Sequence, residues 1–171
     1  MGLEQRLDPK GTSEMGAVEG ASTQVANGST KKSYRILVVD DNPSDRFFIK
    51  RAINAHYGCD NRAIFPEAED GQSALNVLEN LPADETIDMI STDFDMPGMG
   101  SIEFLERLRG DARYARHSTV RVVVNSGTER NSKEKEDLLK YGVLEEDILR
   151  KPDKHYDATS FASVLDKYCP K

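Results

Sequence analysis

The sequence lacks several features that would assign it to a special class of protein. Its two cysteines, Cys59 and Cys169, are too few for a disulfide framework and favour a reduced, cytoplasmic setting. No apolar stretch approaches the roughly 20 residues needed to cross a bilayer, and no signal peptide is visible. Positive charge is scarce, because 23 Lys and Arg face 30 Asp and Glu, for a net charge of −7. We therefore expect no membrane association and no nucleic-acid partner, since phosphate backbones bind clustered cations.

The 171 residues divide into two parts near residue 33. Residues 1–33 are rich in Gly, Ser, Thr, Ala and Glu and show no period of 2 or 3.6. Such a segment cannot bury enough apolar surface to offset the entropy that it loses on folding. We therefore predict that 1–33 form a disordered tail or a leader added for expression, and that 34–171 form one domain.

The second part of the chain alternates between buried strands and amphipathic helices. Short apolar, β-branched runs predict strands at 35–39, 62–65, 89–92, 120–124 and 148–149. Apolar residues at helical spacing predict a helix after each strand, starting near Asn42, Asp70, Ile102, Asn131 and Phe161. Strands and helices that alternate in this way predict an α/β domain with a five-stranded parallel sheet and helices on both faces.

Polar side chains follow four of these predicted strands. They are Asp40 and Asp41 after the first strand, Asp93 and Asp95 after the third, Ser126 after the fourth and Lys151 after the fifth. Because sites in open α/β sheets lie at the carboxyl ends of the strands, we expect these side chains to gather at one edge. Two carboxylates 4 Å apart repel by about 4 kcal/mol at an effective dielectric constant of 20, so the cluster needs a cation. Hard oxygen ligands with room for waters predict Mg²⁺.

Taken together, these motifs resemble the response-regulator receiver domain, the phospho-acceptor module of two-component signalling. The resemblance runs from Tyr34 to about Tyr168 and rests on VVDDNPSDR, DMISTDFDMPGM, VVVNSG and RKP, in the family's order. It implies a flavodoxin-like, doubly wound fold. It also implies a signalling protein that is not an enzyme, beyond catalysing its own phosphorylation and dephosphorylation. The expected partners are a histidine kinase or a histidine phosphotransfer protein, and an unidentified downstream protein. Because no output domain is visible, we expect a stand-alone receiver.

The resemblance implies a role for each acidic residue. Asp93 matches the aspartate that accepts the phosphoryl group from a phosphohistidine. Asp40 and Asp41 match the acidic pair that holds Mg²⁺ together with Asp93, and the backbone carbonyl of Asp95 matches a further metal ligand. Attack by a carboxylate on phosphorus is nucleophilic catalysis, and its transition state needs little beyond positioning and positive charge.

The resemblance also covers the polar residues near the end of the domain, with one departure. Ser126 matches the hydroxyl that bonds the new phosphoryl group. Lys151 matches the cation that neutralises this group, and Pro152 matches a proline that follows a cis peptide bond. The family usually has an aromatic residue three positions before the lysine, where this sequence has Ile148. Phosphorylation is therefore read out in another way, or more weakly.

Two other classes of function remain open. The motif DFD at 93–95 fits the Asp-x-Asp of an aspartate-nucleophile phosphatase of the haloacid-dehalogenase type, with Ser126 and Lys151 as its later motifs. Against this class, Pro97 replaces a small polar or β-branched residue, and the acidic pair lies upstream. The second class is a receiver-shaped binding module that is never phosphorylated, which Ile148 keeps open.

Overall fold

Strands and helices alternate along the part of the chain that the structure, a computed structural model, describes: residues 33–58, 63–152, 156 and 159–170. Apart from Ser33, the predicted tail lies outside these residues. The strands are β1 (Tyr34–Val39), β2 (Ala63–Ile64), β3 (Glu67–Ala68), β4 (Met89–Asp93), β5 (Arg121–Ser126) and β6 (Ile148–Arg150). The helices are α1 (Pro43–His56), α2 (Gly71–Asn80), α3 (Ser101–Gly110), α4 (Ser132–Lys140) and α5 (Ala162–Tyr168). Within the described ranges, no helix has both the length and the apolar character to cross a membrane.

The strands form one parallel sheet in the order β2-β1-β4-β5-β6, and β3 also pairs with β1. The second predicted strand, 62–65, overlaps β2, apart from residue 62, which lies outside the described residues. β3 lies beyond its end, so the sheet has six strand segments where the sequence predicted five. Pro66, between them, has no backbone N–H to donate to the ladder. Its carbonyl accepts a hydrogen bond from Val38 N at 3.0 Å, which keeps this segment against β1. With β2 and β3 counted as one strand, the order is that of the flavodoxin-like fold, and the predicted fold class is confirmed.

Apolar side chains on β1 enter two separate cores, one on each face of the sheet. Ile36 and Val38 pack in the core formed with α1 and α5, and Leu37 and Val39 pack in the core formed with α2, α3 and α4. Successive side chains of a strand point to opposite faces, so a continuous apolar run fits a sheet that is covered on both sides. The helices on the two faces thereby fix the carboxyl ends of the strands relative to one another.

Two short 3₁₀ helices, Ala112–His117 and Glu145–Asp147, were not among the predicted elements. The first begins where the Asp111 side chain accepts a hydrogen bond from Arg113 N at 2.9 Å, and it buries Tyr114. A 3₁₀ helix of a few residues is too short to give the 3.6-residue period on which the sequence analysis relied.

Gly71, at the start of α2, is a point of close approach between α2 and the segment leading into α3. A Cβ at this position would lie 2.7 Å from Met99 Cγ and 2.8 Å from both Met99 O and Phe104 Cβ. We therefore expect Gly71→Ala to lower the free energy of unfolding by about 1–3 kcal/mol, because the backbone has to move. Urea denaturation measures this. In the control Gly110→Ala, the new Cβ meets nothing within 4 Å. Equal stability of the two variants would contradict the prediction.

Candidate functional site

Three carboxylates meet at the carboxyl ends of β1 and β4. Asp40 and Asp41 follow β1, and Asp93 is the last residue of β4. Each offers an oxygen, and these three atoms lie within 4.8 Å of one another. Asp40 is fully buried and Asp93 nearly so, whereas Asp41 is exposed. The structure thus brings together three of the residues that the sequence analysis placed at this edge.

Lys151, which follows β6, reaches into this cluster. Its Nζ lies 2.7 Å from Asp40 Oδ2, 3.0 Å from Asp93 Oδ2 and 3.0 Å from Asp45 Oδ2. Its backbone N–H donates to the carbonyl of Ser126 at 2.7 Å, which ties the segment after β6 to the end of β5. One ammonium group has three hydrogens to donate, so Lys151 serves as the internal counter-ion of three carboxylates.

Burial and ion pairing act in opposite directions on the pKa values of this cluster. Burial raises the pKa of Asp40 and of Asp93 above that of an ordinary aspartate, and hydrogen bonds from Lys151 oppose this rise. Burial by itself lowers the pKa of Lys151, but hydrogen bonds to Asp40 and Asp45 outweigh it and raise the pKa above that of an ordinary lysine. The buried carboxylates therefore depend on a nearby cation to stay ionised.

Backbone hydrogen bonds fix the orientation of the two buried carboxylates, Asp40 and Asp93. Asn42 N donates to Asp40 Oδ1 at 2.9 Å, and Phe94 N donates to Asp93 Oδ1 at 2.8 Å. Asn42 is also the N-cap of α1, where its side chain accepts from Ser44 N, and proline occupies the first turn. The helix start thus fixes the loop that carries the acidic pair.

The cluster fits a hard divalent cation. A carboxylate has about four lone-pair sites, so Asp40 and Asp93 keep acceptor capacity beyond the hydrogen bonds described above. Mg²⁺ prefers oxygen ligands and keeps several waters, which suits a site with one exposed member, Asp41. These three residues are the ones that would hold the ion. The backbone carbonyl of Asp95 stays a predicted ligand.

Ser126 is the last residue of β5 and lies beside a cavity. Its hydroxyl donates to the backbone carbonyl of Thr128, and no hydrogen bond between described residues joins it to Asp93. The cavity has a volume of about 360 Å³ and is lined in part by Ser126, Arg130 and Ile148. The position where the family usually has an aromatic residue thus borders open space next to the hydroxyl.

One expected detail is wrong in this structure. No cis peptide bond occurs among the described residues, so the bond between Lys151 and Pro152 is trans. The trans form of a bond before proline is favoured by about 0.5–1 kcal/mol unless its surroundings select the cis form.

Two residues near the site were not singled out from the sequence. Asp45 lies in the first turn of α1 and contacts Lys151. Its spacing from the helix start at Asn42 is a signal that could have placed it at this edge. Arg130 is buried in the loop after β5, where its Nη1 lies 3.1 Å from Asp95 Oδ2. No periodic pattern marks that loop, so the sequence held no comparable signal for Arg130.

Comparison with known proteins supports the same class. The family model for the response regulator receiver domain matches residues 36–159. The chain therefore belongs to the response regulator receiver domain family. Members of this family are signalling modules that are phosphorylated on an aspartate in two-component signalling. The match decides against the phosphatase considered in the sequence analysis.

Curated relatives and solved structures agree with this assignment. The chemotaxis protein CheY of Pseudomonas aeruginosa is 38% identical over 79 residues, which cover 46% of this chain and 57% of that protein. The protein-glutamate methylesterase/protein-glutamine glutaminase 2 of Burkholderia thailandensis is 38% identical over 74 residues, 43% of this chain and 19% of that protein. This chain thus spans less than two thirds of these relatives' lengths.

Solved structures show the same fold at low identity. The signal receiver domain of NarL from Mycobacterium tuberculosis aligns with a TM-score of 0.58 and 23% identity, over 82% of this chain and 99% of that one. The chemotaxis protein CheY4 of Vibrio cholerae aligns with a TM-score of 0.56 and 20% identity, over 80% of this chain and 98% of that one.

Proposed function

We propose that the chain is a phospho-acceptor receiver that takes a phosphoryl group from a phosphohistidine onto Asp93 with the help of Mg²⁺. The supporting observation is the meeting of Asp40, Asp41 and Asp93 with the ammonium group of Lys151 at one edge of the sheet. A nearly buried carboxylate next to a cation and a potential metal site suits transfer of a charged group.

The chemistry follows from the position of Asp93. A carboxylate oxygen of Asp93 attacks the phosphorus, the bond from phosphorus to the imidazole nitrogen breaks, and the departing imidazole takes up a proton from solvent. Lys151 Nζ, 3.0 Å from Asp93 Oδ2, lies close enough to neutralise charge on the equatorial oxygens. Mg²⁺ held by Asp40, Asp41 and Asp93 would supply further positive charge during this transfer. Asp40 and Asp41 complete the metal site.

Ser126 has a separate role in this proposal. Its hydroxyl donates to the carbonyl of Thr128 before phosphorylation. A phosphoryl group on Asp93 offers charged oxygens, which accept stronger hydrogen bonds than a neutral carbonyl does. The hydroxyl therefore turns from Thr128 to the phosphoryl group, and this exchange alters the loop that follows β5.

Labelling with a small phosphodonor tests the proposal. The protein is incubated with phosphoramidate, with Mg²⁺ or with a chelator, and its intact mass is measured. We expect one phosphoryl group per chain in the presence of Mg²⁺ and none with the chelator. Absence of labelling with Mg²⁺ would favour the binding module that is never phosphorylated. Steady turnover of a phosphate ester would contradict a receiver.

A histidine kinase or a histidine phosphotransfer protein is the expected donor, and an unidentified protein is the expected receiver of the output. Action as a stand-alone receiver in the cytoplasm is part of the same proposal. To identify the donor, the rate of phosphoryl transfer to this protein is measured for each purified histidine kinase of the same cell, and the fastest is the expected donor.

Asp45 competes with the phosphoryl group for Lys151 in this mechanism. Its Oδ2 is 3.0 Å from Lys151 Nζ, and its side chain is 30% exposed. A partly exposed ion pair contributes about 0.2–1 kcal/mol of interaction free energy. If Lys151 gives up this interaction in the transition state, removal of Asp45 lowers the activation free energy by the same amount and speeds phosphorylation roughly 1.5- to 5-fold. We expect this increase for Asp45→Asn, measured as the labelling rate at saturating Mg²⁺. An unchanged or lower rate would show that Asp45 does not compete for Lys151.

A further inference from the structure

Arg130 is a buried cation that the proposed phosphoryl transfer does not use. Its side chain is 5% exposed, and it lies in the loop between Ser126, at the end of β5, and Asn131, the N-cap of α4. Arginine is almost never buried in this way unless its charge is paired. The contacts of Arg130 therefore indicate which groups this side chain holds in place.

Several contacts fix the guanidinium group of Arg130. Nη1 lies 3.1 Å from Asp95 Oδ2, Nε donates to Thr128 O at 3.2 Å, and Nη2 donates to Thr128 Oγ1. The group also lies over the ring of Phe94, 4.3 Å from its centroid, in a cation–π contact. Glu134 Oε2 is farther away, at 3.9 Å from Nε.

These contacts join the loop that directly follows the acceptor to the loop that follows β5. Phe94 and Asp95 directly follow Asp93, the proposed phosphoryl acceptor. Thr128 follows Ser126 and accepts the hydrogen bond of its hydroxyl. Arg130 thus connects the residue two positions after the acceptor to the hydroxyl that would bind the phosphoryl group.

The carboxylate of Asp95 is the group that Arg130 restrains. It is 71% exposed, so water reaches it freely. Hydrolysis of an acyl phosphate forms a bond from a water oxygen to phosphorus and breaks the bond from phosphorus to the Asp93 carboxylate. Inorganic phosphate leaves, and the proton of the water passes to a base or to solvent. A carboxylate two residues after the acceptor can serve as the base for that water once it is released from its ion pair.

We propose that Arg130 is a positioning residue that lengthens the life of the phosphoryl group on Asp93 by holding Asp95 in an ion pair. This inference rests on the proposed function, because it requires a phosphoryl group at Asp93. The ion pair directs the Asp95 carboxylate towards Arg130 and neutralises its charge. Loss of Arg130 frees the carboxylate to orient water, and loss of the carboxylate removes the base.

The decay of the phosphorylated protein tests this inference. Wild type and variants are labelled with phosphoramidate and Mg²⁺, the donor is removed, and the loss of phosphate is followed by intact mass at fixed pH. We expect Arg130→Gln to shorten the lifetime roughly 1.5- to 5-fold, the range that a partly exposed ion pair supplies, and Asp95→Asn to lengthen it. Arg130→Lys keeps the charge but loses the planar group that contacts Thr128, Asp95 and Phe94 together, so its lifetime should fall between those of Arg130→Gln and wild type.

The double variant separates positioning from a merely structural role. In the Asp95→Asn background, Arg130→Gln has no carboxylate to release, so we expect the lifetime of Asp95→Asn alone. An effect of Arg130→Gln that persists in this background would overturn the inference, as would a wild-type lifetime in the single Arg130→Gln variant.

Other outcomes bear on the inference in different ways. If Arg130→Gln does not fold, Arg130→Met takes its place, because it removes the charge but keeps an apolar side chain next to Phe94. A wild-type lifetime for that variant overturns the inference. Wild-type protein that takes no label at Asp93 overturns the proposed function, and the inference with it. If the wild type is labelled but every variant has the wild-type lifetime, the inference is overturned and the proposed function is not.

Discussion

Asp93→Asn will abolish labelling by phosphoramidate while the protein stays folded. The amide has nearly the same shape as the carboxylate but is not a nucleophile, so no bond to phosphorus forms. Asp93 is nearly buried, and its Oδ1 accepts from Phe94 N, so an asparagine with its oxygen in that place keeps this hydrogen bond, while Lys151 keeps Asp40 and Asp45 as partners. Intact mass measures the label, and thermal unfolding reports the fold.

Asp84→Asn is the matched control for this prediction. Asp84 is exposed and lies in the turn between α2 and β4, away from the acidic cluster. The control removes the same charge and should take up label as the wild type does. Stoichiometric labelling of Asp93→Asn at another carboxylate would show that Asp93 is not the acceptor.

The second large effect concerns Mg²⁺. A ligand that binds only the folded state stabilises it by about 2.7 kcal/mol at 100 times its dissociation constant, which corresponds to a rise in Tm of roughly 5–10 °C for a domain of this size. We expect such a rise for the wild type, because the ion neutralises repulsion among Asp40, Asp41 and Asp93. Asp41→Ala should lose most of the gain, since it removes one of the ligand oxygens.

Asp41 is suited to this test because it is exposed, so its removal leaves the core intact. Asp84→Ala removes an exposed carboxylate elsewhere and should respond to Mg²⁺ as the wild type does. A wild-type Tm that Mg²⁺ does not change would count against the site. An equal response of Asp41→Ala and wild type would remove Asp41 from the ligand set.

The sequence predicted the layout of the fold well because the buried strands are apolar and continuous. A run such as 35–39 predicts a buried strand whichever residues lie beside it. The observed strand, Tyr34–Val39, begins one residue earlier. The second strand was harder to predict, because Pro66 divides it into two pieces of two residues each. The 3₁₀ helices were missed because they are too short to be periodic.

The residues of the candidate site were also predicted only in part. Asp40, Asp41, Asp93 and Lys151 were placed together because they end strands of one parallel sheet, which requires no knowledge of side chains. Arg130 could not be found in this way, because its pairing with Asp95 joins residues 35 positions apart through a loop of irregular structure. Such contacts depend on the packing around them, which the local sequence does not encode.

The edges of the sheet restrict how another protein can bind. Among the described residues, one edge consists of β2 and β3, with two residues each on either side of Pro66, and the other edge is β6, with three residues. Such short edges offer few free backbone groups, which disfavours sheet-to-sheet aggregation and the addition of a strand from a partner. Recognition therefore falls to side chains on helices and loops. Partner choice can then change by surface substitution while the sheet itself stays the same.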